Sequence, residues 1–404
     1  MNEVLGDLQV LDFCWVGAGA LVTKLLAEHG AVVIKIESRA RPDNLRVAPP
    51  YAPGPKGLEA SGYFASRNND KKSFALNMQR PEGQELARQL AVKCDVITNN
   101  FRPGVMERWG LGYEDVSKLN PRVIYLSMSM QGSDGPHREY IGFGSTIAAL
   151  SGLVHLSGRP DREPVGTGTH YPDHIPSPGH ALVAVLAAIL HRDRTGSGAE
   201  IELSQLEATV SMLAPAIAAA DNGSGELVRI GNRSDQACPS GVFRCAGAER
   251  WCAIAVRTRE QWCGLTQVLA DPILAREPEL ETIAGRRARE GELERRIAAL
   301  VSGRDRDELV TGLQGAGVPS WGVLSSPDLL ADQQLRARDF WRELSHPVIG
   351  KITAPSEPYR INGERTGPRR AAPLLGEHTR EIAAALLGLS EPEIDELTEA
   401  RVLW

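Results

Sequence analysis

The first hundred residues alternate between two hydrophobic periods. Residues 8–13 (Leu-Gln-Val-Leu-Asp-Phe) read as a short strand, and residues 20–29 place apolar side chains at helical spacing. Residues 31–37 (Ala-Val-Val-Ile-Lys-Ile-Glu) are β-branched and almost continuously apolar, the pattern of a parallel strand buried on both faces. Pro81 opens a helical stretch running to residue 93, with Leu86 and Leu90 four apart. Residues 95–98 and 122–127 are further strands. Strands alternating with helices predict an α/β fold, here a Rossmann-like large domain with a parallel sheet covered on both faces.

The texture then changes. Residues 180–191 form a strongly apolar helix, 199–203 a strand and 205–220 a helix. Asn222-Gly223-Ser224-Gly225 breaks the pattern. Residues 241–244 and 251–256 read as paired strands, followed by charged helices, notably 286–301. This predicts a smaller α+β domain over 221–326, between a first large-domain segment at 1–220 and a return segment at 327–404. The helical stretch 377–387 is expected to pack back on the large domain, after an extended loop at 367–373.

Composition narrows the function classes. A chain of 404 residues exceeds what one hydrophobic core usually serves, which fits two domains. With 45 Lys and Arg against 51 Asp and Glu, the formal charge is −6, without the basic footprint of a nucleic-acid binder. The longest unbroken apolar run, 181–190, is shorter than the roughly 20 residues of a bilayer crossing, so no membrane association is expected. No basic segment precedes an apolar one at the start, and the six cysteines form no CxxC pair, so a cytoplasmic protein with reduced thiols is expected. His170 and His174 are spaced HxxxH, but Pro172 between them argues against a helical metal site, so no metal is expected.

Three places carry candidate chemistry. Gly17-Ala18-Gly19 follows a strand and opens a helix, where free N–H groups attract phosphate, and Glu37 lies about 20 residues on, where a dinucleotide site puts its ribose-binding acid. The third glycine of that fingerprint is replaced by Val22, so NAD is a secondary reading and a structural turn an equal one. Lys71, Lys72, Arg102 and Arg108 stand in two polar segments at strand ends, suited to a phosphorylated ligand with Phe101 facing a base; a solvated loop is the plain alternative. Asp173 sits in a loop rich in proline and glycine ahead of the 180–191 helix, as a nucleophile or merely a helix cap.

Read in order, these segments resemble one family. They are Val10-Leu11-Asp12-Phe13, Gly17-Ala18-Gly19, residues 26–37, Lys71-Lys72-Ser73, Asn100-Phe101-Arg102-Pro103-Gly104 and Ser129-Met130-Gln131-Gly132. Asp173 with Gly179, residues 194–198, Gly317-Val318-Pro319 and residues 335–340 follow. The set resembles the class III CoA-transferases, the formyl-CoA transferase and carnitine CoA-transferase (CaiB/BaiF-type) family, along nearly the whole chain. The resemblance implies CoA transfer without a metal, with Asp173 as nucleophile passing through an aspartyl anhydride and an aspartyl-CoA thioester. It implies a CoA site built from Val16, Gly17, Ala18, Asn68, Lys71, Asn100, Phe101, Arg102 and Arg108, walled by Ile141, Gly142, Phe143 and Gly144. Where the family carries Arg after the acid of the second strand, this chain has Ser38 with Arg39 beside it, and Arg39 is expected to serve. The resemblance also implies an interlocked dimer.

The same fold hosts α-methylacyl-CoA racemases, whose base is the His of a Gly-His-Asp motif. The matching stretch here is Gly142-Phe143-Gly144, and Phe cannot take a proton, which favours transfer. Trp15, His170, Tyr171 and His174 are expected to crowd the acyl pocket. Together with a likeness of residues 142–174 to subunits acting on benzylsuccinate, they point to an aryl-substituted or dicarboxylic acceptor, with succinyl-CoA as a candidate donor. The likeness also leaves open a heteromer whose single subunit is inactive alone.

Overall fold

The computed structural model describes residues 3–54 and 56–404. The chain divides into two compact units. One takes the chain up to Val154 with Gly166–Glu226 and Ala337–Trp404; the other takes His155–Val165 and Leu227–Arg336. The larger unit is thus assembled from three stretches, and the smaller also claims a short segment from within the region read as the first large-domain segment.

The large unit is built on six strands: β1 (Gln9–Asp12), β2 (Val32–Glu37), β3 (Lys72–Ala75), β4 (Val96–Asn99), β5 (Ile124–Ser127) and β6 (Ala199–Glu202). They form one parallel sheet in the order β3-β2-β1-β4-β5-β6. Consecutive residues of the strands serve opposite faces. Val10, Val33, Val96 and Ile124 meet Val22 and Leu26 of helix Ala18–Glu28 and Ala181 and Val185 of helix Pro176–Thr195. Leu11, Ile34, Ile97 and Tyr125 meet Leu86 and Leu90 of helix Pro81–Lys93 and Ile382, Ile394 and Leu403 of the C-terminal segment. That double coverage is why the strands read as continuous apolar runs. The strand order reverses between β1 and β4, so a crevice opens beyond their carboxyl ends, where open α/β sheets bind ligands.

Several elements depart from the sequence pattern. β3 was hidden because its charged start, Lys71-Lys72, reads as loop; it is an edge strand covered by the tail, whose Thr379 hydroxyl accepts from the Ala75 N–H at 2.9 Å. The hairpin Trp341–His346 with Gly350–Pro355 also carries too many polar residues to stand out. The helix expected over 205–220 breaks into Gln205–Val210, a tight turn Ser211–Leu213 and Ala214–Asp221, because Pro215 has no N–H for the preceding turn. The apolar run 181–190 is the middle of a longer helical stretch. Tyr171–Thr195 is long and apolar enough, by length and composition alone, to cross a membrane, which corrects the expectation drawn from the shorter run. One side of it is sheet core, and Arg192 near its end pairs with Asp95 at 2.9 Å.

The smaller unit has a three-stranded antiparallel sheet, Ser240–Arg244, Trp251–Ala255 and Ser320–Gly322, with helices Arg259–Leu269, Glu290–Val301 and Arg306–Gly315. Phe243, Ile254, Trp262, Leu265, Leu293 and Ile297 fill its core. Arg286 is fully buried there and is held by carbonyls instead of a carboxylate. It donates to Cys238, to Leu280 at 2.8 Å, to Glu281 at 3.1 Å and to Arg257 at 3.3 Å, and lies over the Trp262 ring. Replacing it leaves four carbonyls without a donor. Arg286→Met is expected to destabilise the protein by about 3–5 kcal/mol, seen as a lower urea midpoint; an unchanged midpoint would mean that water takes over all four bonds.

Candidate active site

Three loops meet at the carboxyl ends of the central strands. The chain leaves β1 through Phe13 to Gly17 and enters helix Ala18–Glu28. The loop after β4 returns Asn100, whose side-chain oxygen accepts from the Trp15 N–H at 2.9 Å while its amide donates to the Trp15 carbonyl at 2.6 Å. The loop after β5 runs to Phe143 and helix Gly144–Leu150.

Asp173 comes from elsewhere, in the short helix Tyr171–His174, and is buried at the junction of these loops. Two glycines face it closely, Gly144 with no room for a side chain and Gly17 with little. A Cβ on Gly144 would fall 2.6 Å from Asp173 Oδ2, and a Cβ on Gly17 would fall 3.0 Å from Asp173 Cβ and 3.3 Å from Oδ2. Burial pushes the Asp173 carboxyl up, and His170, the Gly144 backbone N–H and Arg67 pull it part of the way back, leaving it at about 6. At neutral pH the group is therefore an ionised and unusually basic carboxylate, with one fixed backbone donor beside it. That combination suits nucleophilic attack on a carbonyl and stabilisation of the oxyanion that forms.

Two cavities in the large unit share Trp15, Asn100, Phe101 and Arg102 in their walls. The smaller, about 220 Å³, contains Asp173, Val16, Gly17, Ala18, Ile141, Gly142, Phe143 and Gly144. The larger, about 620 Å³, contains Arg108, Trp109, Arg41, Ser38 and Met78. Arg41, Arg102 and Arg108 are exposed there, and none forms an ion pair among the described residues. Phe101 lies edge-on between Trp15 and Trp109, with ring centres 5.4 and 5.7 Å away.

Other residues singled out in the sequence lie outside these walls. Lys71 is buried behind the β1 turn, 3.0 Å from Asp12, and also donates to the Asn68 side chain and the Ala20 carbonyl. Asn68 is buried with it and donates to Phe64. Arg39 is exposed beyond the turn in which the Arg41 N–H donates to Ser38 Oγ, and its own N–H donates to Trp404; the turn presents Arg41 to the cavity instead. His170 and Tyr171 line neither cavity. His174 accepts from Arg67 at 3.2 Å and lies against the Tyr63 ring; burial, Arg67 and His170 lower it to about 4, so it is neutral at pH 7. Glu37, the candidate ribose acid, by contrast does line the larger cavity, but its carboxylate is gripped by Arg46 at 2.7 and 2.8 Å. Among the described residues no group of three or more His, Cys, Asp or Glu could hold a metal ion.

Sequence reasoning missed Arg138, Tyr140 and Gln205 in the smaller cavity and Arg41, Met78 and Trp109 in the larger. Gln205 had a local signal, since it follows the helix cap Ser204. The others lie in loops whose composition says only that they are loops.

The profile of CoA-transferase family III matches residues 5–379. The chain is 31% identical to the succinyl-CoA–D-citramalate CoA-transferase of Chloroflexus aurantiacus, over 99% of this chain and 98% of that one. It is 29% identical to the beta subunit of the succinyl-CoA–L-malate CoA-transferase of the same organism, over 99% and 98% of the two chains. It is also 31% identical, over 98% of its length, to a probable CoA-transferase of Mycobacterium tuberculosis, Rv1866, of which it spans half. The crystal structure of a CaiB/BaiF family protein from Brucella suis superposes with a TM-score of 0.88 at 28% identity, covering 96% of this chain and all of that one.

Two outcomes follow from the carboxylate's surroundings. Gly144→Ala is expected to lower turnover by more than about 100-fold, because the new methyl displaces the reacting group; turnover within a few-fold of wild type would show that the loop yields freely. A carboxyl raised on folding destabilises the folded state once ionised, a cost fully present above about 6 and absent below its ordinary value of 3.8. Asp173→Asn should therefore raise stability by up to about 3 kcal/mol at pH 7.5 and hardly at all near pH 3.5, as read from denaturant midpoints at the two pH values.

Proposed function

The chain belongs to CoA-transferase family III, and from that premise we propose that it moves CoA from an acyl-CoA donor such as succinyl-CoA to a dicarboxylic or aryl-substituted carboxylic acid, with Asp173 as the nucleophile. The observation that carries this reading is the buried Asp173 carboxylate, wedged against Gly17 and Gly144 where two cavities share a wall. CoA is a substrate with matching parts. Its phosphates suit the exposed Arg41, Arg102 and Arg108, its adenine suits the aromatic surface of Phe101 and Trp109, and its thioester end reaches toward Asp173. Val16, Gly17, Ala18 and Ile141 to Gly144 line the inner end; Asn100 holds Trp15; Asn68 and Lys71 support the turn from behind.

The chemistry balances without a proton entering or leaving. The Asp173 carboxylate attacks the donor thioester carbonyl, forming a mixed anhydride and releasing CoA thiolate. The thiolate attacks the aspartyl carbonyl of that anhydride, giving an aspartyl-CoA thioester and the free donor acid. The acceptor carboxylate then attacks the aspartyl thioester and expels the thiolate, which attacks the acceptor's acyl carbonyl. The products are the new acyl-CoA and the original carboxylate. Each addition builds charge on a carbonyl oxygen, and the Gly144 N–H is the donor placed to meet it.

Relatives named for D-citramalate and L-malate, both dicarboxylic acids, support that acceptor class. Arg138 in the smaller cavity offers charge for a second carboxylate, and Trp15 and Phe143 offer surface for an aryl group such as that of benzylsuccinate. Phe143 supplies no base, which disfavours racemisation. A second copy of the chain is the partner in this reading: Val183 and Leu190 on helix Pro176–Thr195 stand 69% and 59% exposed, an apolar face suited to burial. A heteromer is the alternative that the beta-subunit relative supports.

Mass spectrometry after mixing the protein with succinyl-CoA and a panel of acids (benzylsuccinate, mesaconate, citramalate and simple aliphatic acids) tests the reading. The expected result is a new acyl-CoA with wild type and none with Asp173→Ala, which still binds CoA in native spectra. Equal product from Asp173→Ala would remove Asp173 as nucleophile, and CoA binding without turnover by wild type would point to a missing partner subunit.

A further inference from the structure

Side chains hold both backbone groups of Cys14, both of Trp15 and the N–H of Val16 in the turn after β1. The Cys14 N–H donates to Asp12 at 2.9 Å, and the Cys14 carbonyl accepts from Lys35 Nζ at 2.8 Å. Asn100 takes both groups of Trp15. The Val16 N–H donates to Asp43 Oδ1 at 3.1 Å. Lys35 and Asp43, both fully buried, pair at 2.8 Å. Val16 itself sits at φ +64°, a left-handed conformation that a β-branched residue rarely adopts. Such strain persists only where surrounding contacts over-determine it. The next residue is Gly17, on which a Cβ would fall 3.0 Å from Asp173 Cβ and 3.3 Å from its Oδ2.

We propose that the buried Lys35–Asp43 pair is a positioning device for the transfer reaction, holding the strained Val16 so that Gly17 stays against Asp173. It rests on the reading of Asp173 as nucleophile. A buried ion pair seldom stabilises more than apolar residues of the same volume would, so its retention calls for another role. Here each partner has a second bond into the turn: Lys35 to the Cys14 carbonyl and Asp43 to the Val16 amide. Asp43 also caps the following turn through the Leu45 N–H at 2.9 Å, which ties it to the backbone from its own side. Neither Lys35 nor Asp43 lines either cavity, so they act on the reaction only through the turn.

The test compares Asp43→Asn with Asp43→Ala. Both deprive Lys35 of its paired carboxylate, leaving only the more distant charges of Asp12 and Glu37, but only Asn keeps an oxygen for the Val16 amide. If Asp43 positions the turn, Asp43→Ala loses about 100-fold in kcat and Asp43→Asn stays within about tenfold of wild type, with CoA affinity little changed in both. Should the unpaired lysine prevent folding, the same pair of substitutions in a Lys35→Met background removes the charge and keeps the comparison. Hydrogen exchange of the peptide covering residues 14–19 supplies a readout independent of turnover: its amides should exchange faster in the Ala variant than in the Asn variant. Equal kcat per folded molecule and equal exchange in the two variants would overturn the proposal while leaving Asp173-dependent transfer intact. Exchange that differs as expected, in a protein whose wild type shows no Asp173-dependent transfer, would fail the functional reading instead.

Discussion

The Asp173 carboxylate is buried, and to act as a nucleophile it must still be ionised. Burial alone drives Asp173 toward its neutral form, and an unreactive acid would be the result. His170, the Gly144 amide and Arg67 restore enough of the charge for a value of about 6. The same closeness removes the side-chain space at Gly144 and leaves little at Gly17. The positions of three loops, after β1, after β5 and around residue 173, are therefore set by one small group of atoms.

Two groups of charged residues flank the β1 turn. Beneath the β1 turn they are buried and paired: Lys71 with Asp12, Lys35 with Asp43, Arg46 with Glu37. Burial works to lower the Lys35 ammonium, and Asp43, Asp12 and Glu37 outweigh it. In the larger cavity Arg41, Arg102 and Arg108 are exposed and form no ion pair among the described residues. The second group has charge that an anionic ligand could meet. The first orders the backbone against which that ligand would lie.

Much of the fold was legible. The apolar strands of the central sheet announce themselves because both faces are covered, and residues 81–93 match the helix observed there. Asp173 and the residues of the inner cavity wall were singled out through the family resemblance, and the structure places Asp173 with Val16, Gly17, Ala18 and Ile141 to Gly144 in one cavity. The edge strand β3 and the hairpin Trp341–His346 with Gly350–Pro355 were not legible, because their residues are polar on the side left to solvent or to the tail. The helix break at Pro215 follows a rule that was available, but the apolar spacing on both sides concealed it.

The sequence by itself determined the alternation of strands and helices, which depends on local period, and the family, which depends on an ordered set of motifs; the family resemblance then implies Asp173 as the candidate nucleophile. It did not determine which cations are free. Lys71 and Arg108 look alike in a chain of letters; one meets Asp12 in the interior and the other opens onto a cavity. It did not distinguish Arg39 from Arg41, which a single turn separates. Nor did it reveal that the amide of Gly144 faces Asp173. Those roles were decided only in the tertiary structure, because the charge and reach of a side chain are set by neighbours brought from distant parts of the chain.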